Sequence, residues 1–281
     1  MKNLKYKQVG VNSAIVKRWL TNKIFPWRKI SRSGSSVREE YGVFWESAIR
    51  VEELSSGDKA IPFVLDGKIV RIRSVDGYNF CVHWLSQTIK QLQTVSKITS
   101  ILELGCGVGL NLLALASLHP EIPSWHGLEL TQSGVDRAKA FVSDPPLDYL
   151  RYTTGLPDDV IIKRLSQSQI SFTGGDMRHT HFSDNAFDFS FTAQAIEQLP
   201  RDYSQAFREI CRITRGHSAF IEEFDEAQTF FTRLHLKNVD YFRSSVNELE
   251  RAGFKLLRYE PYPLSRVHLR LGFAVCVKEQ R

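Results

Sequence analysis

Ile101-Leu-Glu103-Leu-Gly105-Cys-Gly107-Val-Gly109-Leu-Asn111 decides the fold. Ile98 to Leu104 is apolar and β-branched and reads as a strand, and Leu110 to Leu118 reads as a helix. The glycines sit where the one becomes the other. Glycine there lets the backbone approach a ligand, and the helix N-terminus offers unpaired N–H groups and a positive dipole. Alternating glycines alone could mark only a tight turn. A dinucleotide fingerprint needs glycine, or sometimes alanine, at the sixth position of Gly-x-Gly-x-x-Gly, where this chain has Leu110. The form present has an acid, Glu103, two residues before the first glycine.

Outward from that loop, strands and helices alternate. Strands are expected at Trp125–Leu130, Ile170–Thr173, Phe187–Thr192 and His217–Phe224, and helices at Ser133–Val142, Tyr203–Thr214 and Val239–Arg251. Between them, a looser insertion carries Asp144-Pro145-Pro146. Phe254–Tyr259 and Leu269–Val277 close the chain as an antiparallel hairpin. Such alternation argues for an α/β protein with a parallel sheet covered by helices on both faces. Upstream, residues 41–97 read as a cap or lid with a hairpin at Asp66-Gly67. The main domain then spans 98–281.

Three further stretches carry chemistry. Glu129, in Gly127-Leu-Glu129-Leu130, ends a strand about 20 residues past the loop, where an acid faces the ligand cleft and accepts ribose hydroxyls. In Gly174-Gly175-Asp176-Met177, the acid suits an adenine amino group and Met177 packs on the ring. The run Phe187-Asp-Phe-Ser-Phe-Thr-Ala-Gln194-Ala-Ile-Glu197-Gln198-Leu-Pro200 is a buried strand whose C-terminal end opens into the cleft.

Taken in this order, the four stretches resemble the motifs of class I S-adenosylmethionine-dependent methyltransferases, from Ile98 to Phe224 and more weakly beyond. The resemblance implies a Rossmann-like, doubly wound, mostly parallel seven-stranded sheet with an antiparallel last strand. It implies S-adenosylmethionine as cofactor. Gly105, Gly107 and Gly109 would line the methionine portion, Glu129 would hold the ribose, Asp176 and Met177 the adenine, and Gln194 would lie beside the sulfonium. Glu103 and Leu130 complete the cofactor-binding set. The run from Ala195 to Pro200 is similar to the small-molecule branch, which often has Glu-His where this chain has Glu197-Gln198. Asp144-Pro145-Pro146-Leu147 resembles the Asp/Asn-Pro-Pro-aromatic motif of amino-methylating nucleic-acid enzymes, but it lies away from the strand that motif follows and lacks the aromatic. Turn formation explains it better.

Methyl transfer to a hydroxyl calls for a base. Glu197 and Glu223 are the candidate catalytic residues, with Glu222, His179 and His181 also at the expected cleft edge. Strand alternation puts Glu222 and Glu223 on opposite faces, so at most one should point inward. Tyr41, Phe44, Trp45, Tyr78, His83 and Trp84 are candidates for a lid over the acceptor.

The chain has 281 residues and a net charge of +6. Residues 1–40 hold ten basic and two acidic side chains, so this arm carries +8 and the remainder −2. Apolar spacing at Ile15, Val16, Trp19 and Leu20 suggests a helix that Pro26 stops, and Ser31 to Ser36 reads as a Gly/Ser linker. With Trp19, Leu20, Ile24, Phe25 and Trp27 as anchors, the arm suits an anionic membrane surface better than nucleic acid. Cys81, Cys106, Cys211 and Cys276 form no Cys-x-x-Cys pair, so neither a metal site nor a disulfide framework is expected. No apolar run reaches the roughly 20 residues of a membrane span, and no secretory signal is evident. The function read from the sequence is transfer of a methyl group from S-adenosylmethionine to oxygen of a small-molecule, glycan or lipid-linked acceptor. It is placed in the cytoplasm, with peripheral membrane contact through residues 1–40. The alternatives are an RNA methyltransferase using the basic arm and a non-catalytic binding module of the same fold.

Overall fold

A computed structural model describes residues 2–24, 31–47 and 60–279. In chain order it holds helices α1 (Lys2–Ile24) and α2 (Gly34–Ser47), strands β1 (Ile61–Leu65) and β2 (Lys68–Ile72), and helix α3 (Ser74–Gln93). There follow β3 (Ser100–Leu104), α4 (Leu110–Leu118), β4 (Ser124–Glu129), α5 (Gln132–Ser143), α6 (Leu147–Thr154), α7 (Asp158–Gln167) and β5 (Gln169–Gly174). The chain continues through β6 (Phe187–Ala193), α8 (Tyr203–Ile213), β7 (Thr214–Glu222), α9 (Phe230–Val239), α10 (Glu248–Arg251), β8 (Phe254–Pro261), β9 (Leu264–Arg266) and β10 (Gly272–Lys278).

Seven strands form one sheet in the order β5-β4-β3-β6-β7-β10-β8. Pairing is parallel from β5 to β7, and β10 runs antiparallel to both β7 and β8. The expected α/β sheet with its antiparallel last strand is thus present. Each central strand is buried on both faces, and the period of two divides its side chains between two cores. Ile101, Ile221, Phe273 and Val275 join one core with α3, α4, α6 and α7, while Leu102, Phe220, Ala274 and Cys276 join the other with α8.

The topology reverses between β3 and β6, and Asp188 pins that junction. Its Oδ2 accepts from Thr99 N at 2.8 Å, Thr99 Oγ1 at 2.6 Å and Ser100 N at 3.2 Å, and Arg215 donates to Oδ1 at 3.0 Å. Burial alone would raise this carboxyl, but the Thr99 and Arg215 contacts outweigh it and hold it below the usual range.

Several expectations are corrected. The Gly/Ser stretch is the start of α2: Ser36 N donates to Ser33 Oγ at 3.3 Å and Ser33 N to Ser36 Oγ at 2.9 Å, a reciprocal serine cap. α2 therefore runs through residue 40, where arm and cap were divided. The Pro-Pro insertion holds two helices, α6 and α7, which bury Tyr149, Leu150, Ile161 and Leu165. Of the helix expected over Val239–Arg251 only α10 is present; α9 lies before it and ends at Val239, where Asp240 adopts φ 55°, ψ 47°. The hairpin at Asp66-Gly67 is present and gains a third strand, β9, from the far end of the chain.

The basic arm packs against the body. Ile15 of α1 is buried, and its carbonyl accepts from Asn238 of α9 at 3.0 Å. Trp19 is half-buried with the Lys23 ammonium 4.2 Å above its ring, while Leu20 and Ile24 are exposed. Phe25, Pro26 and Trp27 lie outside the described residues. No helix among the described residues is long and apolar enough to cross a membrane. Replacing Asp188 with Ala strands the donors of Thr99 and Ser100 at the sheet's reversal point, and should cost about 2–3 kcal/mol in urea unfolding with little change in cofactor affinity.

Candidate functional site

At the C-terminal ends of β3, β4, β5 and β6, a cavity of about 450 Å³ opens beneath α2. That size is ordinary for a small-ligand pocket. The glycine loop forms its floor. Gly107 has φ 54°, and a Cβ there would lie 2.5 Å from the Trp45 ring of α2. Gly109 was expected on the cavity wall but faces away: with φ 79° it caps α4, and a Cβ would lie 2.5 Å from Phe172. Its role is close helix–sheet packing.

Glu129 ties this loop to the next. Its Oε2 accepts from Gly107 N at 3.0 Å, and its Oε1 from Thr131 N at 3.0 Å and Thr131 Oγ1 at 2.7 Å. The carboxylate is 6% exposed and lines the cavity beside Leu130. Glu103 lies deeper. Asn111 donates to its Oε1 at 2.9 Å, but Oε2, like Asn111 Oδ1, finds no partner among the described residues. Burial pushes the Glu103 carboxyl up to about 8 against the opposing Asn111 bond. Two orphaned acceptors in one buried corner lack a cationic donor.

Asp176 and Met177 line the opposite end. Arg178 binds both Asp176 oxygens, with Nη2 to Oδ2 at 2.6 Å, and also reaches Asp202 at 2.6 Å. Burial raises the Asp176 carboxyl, but the Arg178 bonds prevail and keep it below the usual range. Gln194 is exposed to the cavity on a left-handed turn of φ 55°. Glu222 holds that turn by accepting from Ala195 N and Ile196 N, each at 3.1 Å.

Glu197 lines the cavity; Glu222 and Glu223 do not. Both of the latter are fully buried and neither points into the cavity, within the limit of one set by strand alternation. β7 ends at Glu222 and the chain turns there, with Phe224 N donating to the Glu222 carbonyl at 2.9 Å, so strand periodicity lapses. Burial raises all three carboxyls, and Glu223 stands well above the usual range, pushed further by the charges of Glu197 and Glu222. Gln198 donates to Glu197 Oε1 at 2.6 Å and to Tyr41 Oη at 2.8 Å, and Arg32 donates to Gln198 Oε1 at 2.5 Å. Arg32 N also donates to Asp240 Oδ2 at 2.8 Å. The arm is thereby latched over the site.

Of the lid candidates, Tyr41, Trp45 and Tyr78 line the cavity. His83 is exposed, and Trp84 packs on Phe80, Tyr262 and Phe273. The side chain of Phe44 lies outside the described residues. His179 and His181 are exposed and away from the cavity. Sequence reasoning missed His235, Tyr241, Arg266 and His268, which complete the wall. They come from α9 and the β8–β10 connection, far along the chain from the glycine loop, with no local pattern that marks them. Among the described residues no group of acids, histidines and cysteines could hold a metal ion.

Residues 102–221 match the family model described as a methyltransferase domain. No curated protein matches the chain by sequence. Among solved structures, the (4+2)-cyclase SpnF aligns with a TM-score of 0.59 at 14% identity, over 89% of this chain and 98% of that one. Magnesium protoporphyrin IX methyltransferase from Synechocystis PCC 6803, solved with bound S-adenosylhomocysteine, aligns at 0.57 and 12% identity over 88% and 100%. A methyltransferase from Methanosarcina mazei aligns at 0.51 and 16% identity over 66% and 95%. At these identities the likeness is one of fold.

Because the folded Glu103 carboxyl is raised, its contribution to stability is whole below about pH 4.5 and is lost as pH rises through about 8. Glu103→Gln should flatten part of the fall in melting temperature between pH 5 and 8.5, measured without ligand.

Proposed function

We propose, from the premise that residues 102–221 are a class I S-adenosylmethionine-dependent methyltransferase domain, that this chain methylates a hydroxyl of a small acceptor held beneath its N-terminal helices. The observation that carries this reading is the division of the cavity. One wall comes from the matched segment; the other comes from Tyr41, Tyr78, His235, Tyr241 and His268, all outside it. A pocket of this size beneath a latched helix suits a small molecule, or the small end of a glycan or lipid-linked one. RNA would need an open path to the methylated base.

The residues fit the cofactor. The orphaned oxygens of Glu103 and Asn111 supply what an ammonium group needs, and Glu129 faces the cavity with acceptor capacity left for a ribose hydroxyl. Gly105 and Gly107 would flank the methionine portion, Leu130, Asp176 and Met177 the adenine, and Gln194 the sulfonium. Bound there, the cofactor supplies a methyl group on a sulfonium leaving group. The chain supplies alignment and exclusion of water, which account for much of the acceleration of such displacements. Glu197 takes the hydroxyl proton. Glu223, buried out of reach of the cavity, acts through Glu197 as a positioning residue: its hydrogen bond lowers the Glu197 carboxyl against the rise that burial imposes. Val37 and Glu40 of α2 line the cavity, which supports a role for the end of the arm as a wall of this pocket, ahead of membrane or RNA contact.

Calorimetry with S-adenosylhomocysteine tests the cofactor half: Glu129→Ala should weaken binding about 10- to 100-fold, the scale of lost charge-assisted hydrogen bonds, and equal affinity would refute the assignment. For the base, Glu197→Gln should leave that affinity within about threefold while lowering turnover about 100-fold or more, once an acceptor is in hand. Glu223→Gln should shift the pH–rate profile rather than abolish turnover.

A further inference from the structure

One end of the cavity is basic and unpaired. Arg266 of β9, His268 just after it and His235 of α9 all line it. The two imidazoles meet edge to face, with centroids 4.8 Å apart and planes at 67°. Among the described residues neither ring makes a hydrogen bond, and Arg266 has no carboxylate partner. Other arginines of the fold behave differently: Arg32, Arg178, Arg201 and Arg212 each hold a carboxylate within 2.9 Å. Of the acids on the cavity wall, Glu40 is engaged with Arg32, Asp176 with Arg178, Glu129 with its own loop and Glu197 with Gln198, while Glu103 accepts from Asn111 and keeps one oxygen without a partner among the described residues. Positive and N–H donor groups therefore converge at an end of the cavity where none of these acids is hydrogen-bonded to them.

We propose that Arg266, His235 and His268 form an oxyanion subsite that receives a carboxylate or phosphate group of the methyl acceptor. This rests on the reading of the cavity as the acceptor site, and it narrows the acceptor to an acidic small molecule. A guanidinium presents a planar fork suited to either anion, and each imidazole adds one donor when neutral and two when protonated. Tyr78 and Leu269 beside the cluster give the remainder of such a molecule an aromatic and aliphatic surface. Anchoring the acid here leaves a hydroxyl elsewhere on the molecule free to face Glu197.

The electrostatics carry a consequence. Burial, then the charges of His268 and Arg18, push His235 down to about 4, and burial and Arg266 push His268 down as well. Tyr78 from α3, Tyr41 and Glu40 from α2, and Tyr241 after α9 also line the cavity. Both rings are neutral at pH 7, and a bound anion draws them upward. Binding therefore takes up protons, and affinity rises as pH falls.

The test titrates inorganic phosphate and, separately, benzoate into the full chain saturated with S-adenosylhomocysteine, read by calorimetry and by the imidazole proton signals. One of the two anions should bind, its identity separating phosphate-bearing from carboxylate-bearing acceptors, and its affinity should rise at least threefold from pH 8 to pH 6. Arg266→Ala, at an exposed position where folding is not at stake, should weaken it about tenfold or more, the scale of one lost charge-assisted contact. His268→Gln should remove most of the pH dependence. Failure of both anions to bind, or unchanged binding by Arg266→Ala and His268→Gln, overturns the proposal. If the parent takes the anion but not S-adenosylhomocysteine, the cofactor reading fails and the subsite stands.

Discussion

The site depends on one shared carboxylate. Glu129 ends β4, yet its three hydrogen bonds go to Gly107 on the neighbouring loop and to Thr131 at the start of α5. A carboxylate at 6% exposure is costly unless its oxygens are satisfied, and here the donors belong to two segments that must hold still for a ligand to be gripped. Gly105 N and Cys106 N reinforce the junction by donating to the Leu128 carbonyl at 2.8 and 3.1 Å. The left-handed turn at Gly107 is thus held by neighbours on β4 as well as permitted by the absence of a side chain.

Around this junction the fold keeps charge in reserve. Glu103, Glu197, Glu222 and Glu223 are all buried, and burial raises each of them. Such groups lower stability relative to apolar packing, and they concentrate where a ligand or a proton is to be handled. Their division of labour follows from what each touches: Glu103 has an orphaned oxygen, Glu222 caps a turn, Glu197 meets the cavity and Glu223 supports it from behind. At the other end the sign reverses, with Arg266 and two histidines lacking acidic partners among the described residues. The pocket is acidic toward the glycine loop and basic toward the cap.

Much of this was legible in local chemistry. Glycines at a strand-to-helix junction, an acid ending the next strand, and Asp-Gly between two apolar runs each have one good structural solution, and the structure adopts it. Local chemistry misled where tertiary contacts offered a better use of the same residues. Ser33 and Ser36, read as linker, cap a helix because α2 has the body to pack on. Pro146 and Pro157 precede helices rather than filling a loop, since proline costs nothing where the first helical N–H has no partner. The helix foreseen at Val239 was displaced by a left-handed Asp240 whose carboxylate is held by Arg32 and Arg201, residues 208 and 39 positions away.

What the sequence determined by itself was the strands of the main sheet, their mostly parallel arrangement and the glycine-loop side of the cavity, because those depend on periodicities and turn residues that act within a few positions. What only the tertiary structure decided was the opposite side of the cavity. His235, His268, Arg266, Tyr41 and Tyr78 become neighbours through the packing of α1 on α9, the latch of Arg32 on Gln198 and Asp240, and the pairing of β9 with β1. Each of these joins residues far apart in the chain, where proximity follows from the burial of surfaces and from no pattern along the backbone. The same packing docks α1 of the arm on α9 through Ile15 and Asn238, and brings Val37 and Glu40 of α2 to the cavity wall.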